Sequence, residues 1–316
     1  MTPMEIIRGE HNLRSRHRGC VATIGNFDGV HRGHQAVLRA LLREAAAVAA
    51  VPTVVVFEPQ PSEYFSSAAP PARLTRLREK AALLADIGIE RLLVLPFNAA
   101  LAAWPAEDFV QRLLVDGLGV KGVIIGDDFK FGSDRSGDFA MLQRWGATCG
   151  FFIRRADSFL TAGERVSSTS IRQLLRDGLL RDALPLLGRP YSMSGRVVHG
   201  QRRGREMGFP TANLDLHRRA SPVQGIFAAR VRGIGDEARP AIAYVGNRPI
   251  VSGSKWVLEV HLFDFSGDLY GKRITVDFVD KIRDDLPFTT FEALAVQIAE
   301  DCVEARRRLE QLALHA

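Results

Sequence analysis

Two histidines, His31 and His34, stand between an apolar run and an Ala- and Leu-rich one, in the segment Gly25-Asn26-Phe27-Asp28-Gly29-Val30-His31-Arg32-Gly33-His34. Val21-Ala22-Thr23-Ile24 before it is predicted as a strand, and Gln35 to Ala50 after it as a helix. A strand, a Gly-rich turn and a helix bring N–H groups and the positive end of the helix dipole to one point, which makes an anion site. The spacing of three puts both imidazoles on one face of the first helical turn, and Gly33 leaves the backbone open to a phosphate. Nucleotidyl transfer suits this arrangement. Charge builds on the equatorial oxygens of the attacked α-phosphate and on the departing pyrophosphate, so catalysis is positioning plus electrostatic stabilisation. His31 and His34 would donate hydrogen bonds to those oxygens, while Asn26 and Asp28 would orient ribose or metal-bound groups. The plain alternative makes Gly25 and Gly29 turn formers and the histidines polar surface. Glycines flanking a histidine pair at a strand-to-helix turn favour the phosphate reading.

Two further clusters fall in the same half. Ser167-Ser168-Thr169-Ser170-Ile171-Arg172 opens a predicted helix. Its hydroxyls can cap that helix, or Ser168, Thr169 and Arg172 can hold a triphosphate, with the guanidinium as a fork. Gly126-Asp127-Asp128-Phe129-Lys130-Phe131-Gly132 follows a buried strand. Two acids beside two aromatics suit Mg²⁺ or a flat ring, and equally an ordinary acidic turn.

The second half carries a different set. Gly204-Arg205-Glu206-Met207-Gly208 is a basic Gly-rich loop that can wrap phosphates with backbone N–H groups. Phe209-Pro210-Thr211-Ala212-Asn213 follows, and an extended chain puts the oxygens of Thr211 and Asn213 on one face. Two such oxygens can serve Mg²⁺ when ATP phosphates complete its shell. Glu259 interrupts the apolar run Leu258–Phe265. A carboxylate there can take the proton from an alcohol attacking a γ-phosphate, or simply face outward on its strand.

The elements that must hold these residues change character along the chain. Strands are predicted at Val21–Ile24, Thr53–Phe57, Leu92–Leu95, Gly122–Ile125 and Phe151–Ile153, and helices at Gln35–Ala50, Leu74–Ile87, Ala106–Leu118 and Asp138–Trp145. Continuously apolar strands alternating with helices imply a doubly wound parallel sheet, with ligands beyond the strands' carboxyl ends. Pro70-Pro71 reads as a loop or flap. A helix at Ile171–Leu187 leads to closely spaced strands at Ser192–His199, Ile226–Arg232, Ala241–Val245, Leu258–Phe265 and Arg273–Val279, an antiparallel barrel or sandwich. A last helix, with Thr289 and Glu292 as its capping box, runs to about Leu314, and Arg306-Arg307-Arg308 reads as its solvated end.

Bulk composition narrows the classes. The 316 residues suit two domains, taken as 1–186 and 187–316, each with a net charge of +3 and no basic tail. That argues against a dedicated nucleic-acid binder. Cys20, Cys149 and Cys302 form no disulfide or zinc pattern. The apolar runs are too short for a bilayer and the N-terminus has no signal-peptide layout, so a cytoplasmic protein is expected.

With these residues in view, the N-terminal half resembles the FMN adenylyltransferase module of bacterial bifunctional riboflavin kinase/FAD synthetases, in the HxGH nucleotidyltransferase superfamily. GNFDGVHRGH, FEPQP (57–61), LPFN (95–98), GDDFKFG and VSSTSIR carry the likeness. The second half is similar to the riboflavin kinase module of the same enzymes, through GRVVHG, RGREMGFPTANL, EVHLFDF and GDLYG. The resemblance implies an α/β Rossmann-like nucleotidyltransferase domain followed by a mostly antiparallel β-barrel with a C-terminal helix. It implies that His31, His34, Ser168 and Arg172 serve ATP and the transition state. Gly25, Asn26, Phe27, Asp28, Gly33 and Thr169 then line the nucleotide, and FMN lies near Glu58–Pro61, Asp127 and Phe129. In the kinase half, Gly204, Arg205 and Gly208 would hold phosphates, Thr211 and Asn213 Mg-nucleotide, and Glu259 would be the base. Two departures stand out: Gln60 replaces the histidine of FEPHP, so any cationic role there is absent, and Tyr244 stands where the family often has Asn. ATP, riboflavin and FMN are the expected partners of a monomer or weak homo-oligomer, with no nucleic acid or membrane. The alternatives are a riboflavin kinase with a weak or inactive adenylyltransferase domain, and a flavin-binding regulator with vestigial sites.

Overall fold

The computed structural model describes residues 3–66, 70–127, 129–156, 159–161, 164–200, 204, 207–250 and 253–313. The chain divides into two compact units, Met1–Pro71 with Thr75–Ser167, and Ala72–Leu74 with Ser168–Ala316.

In the first unit, six strands pair in parallel: β1 (Glu5–Arg8), β2 (Val21–Ile24), β3 (Pro52–Glu58), β4 (Arg91–Pro96), β5 (Gly122–Ile125) and β6 (Phe152–Arg155). Their spatial order is β1-β4-β3-β2-β5-β6. The chain therefore builds outward from β2 in one direction and resumes at β5 on its other side. That reversal opens a crevice at the carboxyl ends of β2 and β5. Helices cover both faces, which explains the unbroken apolar runs. Val54 and Val56 pack with Leu38 and Leu41 of α1 (Arg32–Ala47) and Leu84 of α2 (Leu77–Ile87). Val55 and Leu93 face the other layer, with Val110, Leu113 and Leu142, the last on α3 (Phe139–Cys149). The predicted helix Ala106–Leu118 is α-helical only over Ala106–Asp108 and winds as a π-helix over Phe109–Gly117. The wider turn aligns Phe109, Leu113 and Leu114 on the sheet, and Leu118 N–H donates to Leu113 O at 2.9 Å. A short hairpin, β7 (Leu160–Thr161) with β8 (Glu164–Arg165), completes the unit.

The predicted helix Ile171–Leu187 is two helices, α4 (Ser168–Arg176) and α5 (Leu180–Leu187). Gly178, left-handed at φ 78°, separates them. Six strands then close an antiparallel barrel: β9 (Tyr191–Val198), β10 (Ala212–Asp215), β11 (Gly225–Arg232), β12 (Arg239–Ile250), β13 (Gly253–Leu262) and β14 (Arg273–Arg283), in the order β10-β13-β12-β11-β14-β9. A barrel, not an open sandwich, settles that alternative. Its interior is apolar, with Phe227, Leu258, Val260 and Phe278 all buried. α6 (Phe291–Ala313) packs on the outside through Cys302, Ala305 and Leu309. Thr290 caps α6 by accepting from Ala293 N–H at 3.1 Å, so the predicted Thr289/Glu292 capping box does not form. The three arginines near the end of α6 are paired rather than merely solvated. Arg306 meets Asp264 at 2.7 Å, Arg307 meets Glu304 at 2.6 Å and Arg308 meets Asp280 at 3.0 Å.

Asp301 of α6 is buried and accepts three bonds of 2.6 to 3.1 Å from the Arg283 guanidinium at the end of β14. Asp301→Ala strands a buried cation and should cost about 3–5 kcal/mol. The expected result is a lowered thermal unfolding midpoint by calorimetry. An unchanged midpoint would show that the pair does not hold α6.

Candidate active sites

The first candidate site sits at the crevice between β2 and β5. The turn after β2 is tightly wound: Phe27, Gly29 and Val30 all adopt positive φ, at 47°, 83° and 42°. For a β-branched residue such as Val30 that conformation is strained and must be held by its surroundings. The anchor is Asp28, 2% exposed, whose Oδ1 accepts from Thr75 N–H at 2.9 Å and Thr75 Oγ1 at 3.2 Å. Gly29 N–H donates back to Thr75 Oγ1 at 2.9 Å. The predicted helix start at Leu74 is delayed to Leu77, and Thr75 is spent on this clasp. Lys80, buried on α2, donates to the Asn26 carbonyl at 2.5 Å. No local pattern singles out Thr75 or Lys80, whose partners Asp28 and Asn26 lie far along the chain.

The clasp presents the histidines. His31 is the N-cap of α1, and its Nδ1 accepts from His34 N–H at 3.3 Å. In the neutral ring the proton then sits on Nε2. The two imidazoles stack, with centroids 3.6 Å apart and planes at 18°. His34 also packs against the Phe27 ring at 5.1 Å, and its buried Nδ1 has no hydrogen-bond partner among the described residues. The first turn of α1 holds no acidic side chain to neutralise the dipole. A Cβ at Gly33 would come within 3.2 Å of the His31 ring, so glycine keeps the pair seated.

Around the carboxyl ends of β3, β4 and β5 lies aromatic surface. Phe57, Tyr64, Phe65 and Phe97 meet edge to face at 5.2–5.7 Å, with Phe65 67% exposed. The Tyr64–Phe65 part of this cluster was not anticipated. Phe129 stacks on Phe131 at 5.5 Å, and Asp127 lies 3.7 Å from Arg155 Nε. Asp128 lies outside the described residues. Gln60 is 4% exposed, and its Nε2 is buried with no partner among the described residues. Ser168, Thr169 and Arg172 head α4 in the second unit, where Arg172 Nε donates to Ala72 O at 2.7 Å.

The second candidate site is on the outer wall of the barrel. Ala212 and Leu214 point inward and are buried, which leaves Thr211 and Asn213 together on the outer face, as alternation predicts. Asn213 pairs directly with Glu259 across β10 and β13. Glu259 thus faces outward between inward Leu258 and Val260, yet it is covered, its side chain only 16% exposed. Burial pushes its carboxyl up, while Arg248, with a terminal guanidinium nitrogen 2.5 Å from Glu259 Oε1, holds it down. Two glycines make room here. A side chain at Gly200 would collide with the Asn213 amide, and one at Gly204 would press on Phe209 O at 2.5 Å and Thr211 Oγ1 at 3.3 Å. Gly208 is left-handed at φ 83° with open space beside it. Arg205 lies outside the described residues. Thr211 borders two cavities: one of about 320 Å³ shared with Glu259, and one of about 520 Å³ under Phe265, Asp268 and Tyr270.

Burial, then the charges of His31, Lys80 and Arg165, hold His34 well below the usual imidazole range. The fold favours the neutral ring, so this stabilisation is fully present above the unfolded value of about 6.5 and is lost as pH falls below it. Urea unfolding at pH 7.5 and 5.5 should show a smaller acid loss for His34→Asn than for the parent chain. Equal losses would contradict a buried, neutral His34.

Two family models cover these regions in order, FAD synthetase over residues 13–170 and riboflavin kinase over residues 187–309. The first match thus includes Ser168 and Thr169 and stops short of Arg172. The bifunctional riboflavin kinase/FMN adenylyltransferase of Escherichia coli K12 is 48% identical over 304 residues, covering 96% of this chain and 97% of that one. That of Pseudomonas fluorescens is 50% identical over 305 residues, with the same coverage. Among solved structures, the crystal structure of a macrolide-efflux protein from Streptococcus pneumoniae matches with a TM-score of 0.82 and 29% identity, over 96% of this chain and 99% of that one. The efflux name is that protein's own. Among the described residues here, no helix is long and apolar enough to cross a membrane. By both family matches and near-complete coverage, the chain belongs to the bifunctional riboflavin kinase/FMN adenylyltransferase family.

Proposed function

We propose that the family's two reactions are divided between the two candidate sites, each performed by the side chains described above. At the barrel wall, the riboflavin 5′-hydroxyl attacks the γ-phosphorus of ATP, a new O–P bond forms, and the bond to ADP breaks. Glu259 accepts the hydroxyl proton. Its burial favours proton acceptance, and Arg248 keeps it ionised beforehand. Thr211 Oγ1 and Asn213 Oδ1 are hard oxygens on the same face, which suits Mg²⁺ carried with the nucleotide. Bound there, Mg²⁺ would supply charge neutralisation for the phosphates. The direct pairing of Asn213 with Glu259 is the observation that supports this assignment, because an amide and a carboxylate side by side suit a nucleotide ligand and a base.

At the crevice between β2 and β5, a phosphate oxygen of FMN attacks the α-phosphorus of a second ATP, and pyrophosphate leaves as FAD forms. His31 donates from Nε2 and His34 donates beside it, both at the positive end of α1. Ser168, Thr169 and Arg172 bind ATP phosphates in this reading, and Asp127 with Phe129 lies on the flavin side. The exposed aromatic surface of Tyr64, Phe65 and Phe97 offers the isoalloxazine ring a stacking partner. Asp28 stays with the nucleotide-lining residues in this reading, its Oδ1 held in place by Thr75. The reading is of a cytoplasmic enzyme with ATP, riboflavin and FMN as partners, a monomer or weak homo-oligomer.

Separate sites imply separable losses. His34→Ala should cut FAD formation from supplied FMN by about 10²–10³ while sparing FMN formation from riboflavin. Glu259→Gln should cut the kinase step by about 10²–10⁴ and leave adenylylation of supplied FMN intact. Initial rates with each substrate decide it; a parallel loss of both activities in either variant would refute the division.

A further inference from the structure

We propose that Tyr244 is a flavin-binding residue of the kinase site, its phenol fixed by Asp285 as a wall against which the flat ring of riboflavin packs. This rests on reading the cavity at Glu259 as the riboflavin site. That cavity combines the reactive polar groups Thr211 and Glu259 with Phe209, Ile242, Phe288 and Phe291. An apolar space with a few convergent polar groups suits a planar ligand that carries an alcohol.

Tyr244 enters this space from a defined direction. It pairs directly with Glu259 across β12 and β13, so the phenol starts beside the base. Gly246 lies two residues on, on the same face, and a side chain there would collide with the Tyr244 ring and hydroxyl. The ring therefore lies along its own strand. Its hydroxyl donates to Asp285 Oδ2 at 2.8 Å. Asp285 belongs to segment 284–290, which links β14 to α6. Arg283, the last residue of β14 just before that segment, is tied to Asp301 of α6. The phenol is thus held at both ends, by its backbone and by a segment that is itself anchored. An aromatic side chain with its rotamer already fixed loses little freedom when a ring packs on it, so contact area is converted into affinity. Burial and the Asp285 carboxylate push the phenol up to about 12, which keeps it a donor at neutral pH. Arg248 is engaged with Glu259, so the Tyr244–Asp285 bond is separate from that ion pair.

The test is steady-state kinetics of the full chain with riboflavin and ATP varied in turn. Tyr244→Phe keeps the ring and removes the anchor, and should raise KM for riboflavin by about three- to tenfold with a smaller change in kcat. Asp285→Ala, which removes the acceptor, should do the same, and the double variant should lose no more than the larger single effect, since both remove one bond. KM for ATP should stay put. An unchanged riboflavin KM in Tyr244→Phe, or an equal rise in KM for ATP, overturns the proposal. Phe291→Ala separates the two ways of failing. If it raises riboflavin KM while Tyr244→Phe does not, the cavity stands and Tyr244 falls; if neither moves it, the cavity assignment falls as well.

Discussion

A buried carboxylate, Asp28, holds the first site in shape. Two donors from Thr75 meet it, and Thr75 in turn receives Gly29 N–H. Phe27 and Val30 sit in left-handed conformations that cost about 1–3 kcal/mol each for residues with side chains. The clasp, with Lys80 on the Asn26 carbonyl, offsets that strain and fixes where α1 begins. From that start everything else at the site follows. His31 becomes the cap, His34 stacks on it, and the dipole of a sixteen-residue helix points into the crevice. Loosening Asp28 would free the turn to relax, and the two stacked imidazoles would lose their fixed placement at the head of α1.

The barrel solves a different problem. Its interior is filled with apolar side chains, so a carboxylate placed there would be unpaired and costly. The polar pair stands on the outer wall instead, where Asn213 and Glu259 face each other across neighbouring strands. Cover from Phe209, Phe288 and α6 then dries the site enough to raise the basicity of Glu259, and Arg248 offsets the burial. Closed pairing around the barrel makes this wall stiff, which suits a reaction that depends on positioning two substrates.

The histidine turn, the Thr211–Asn213 pair and Glu259 were legible in the sequence because glycines and alternation constrain them locally. β2 and β5 were legible to the residue because both faces of a central parallel strand are buried. β1 was missed: only Ile7 of its four residues is buried, so it carries no apolar run. The π-winding at Phe109–Gly117 leaves the same apolar residues as an α-helix would, so periodicity cannot tell the two apart. Thr75 and Lys80 were invisible for another reason. Their partners lie 47 and 54 residues away, and no local pattern links them to the turn. Glu259 was read correctly as a strand residue, but whether an outward side chain is wet or covered depends on α6, far along the chain.

Two separate sets of side chains, one that includes His34 of α1 and one on the barrel wall around Glu259, are the core of the proposed division of labour. Mixing purified His34→Ala and Glu259→Gln chains in equal amounts with riboflavin and ATP tests it most directly, because each retains the set the other lacks. FAD should accumulate in the mixture and in neither variant alone, with FMN passing between molecules. A mixture that makes no FAD, although each chain is folded, would contradict it.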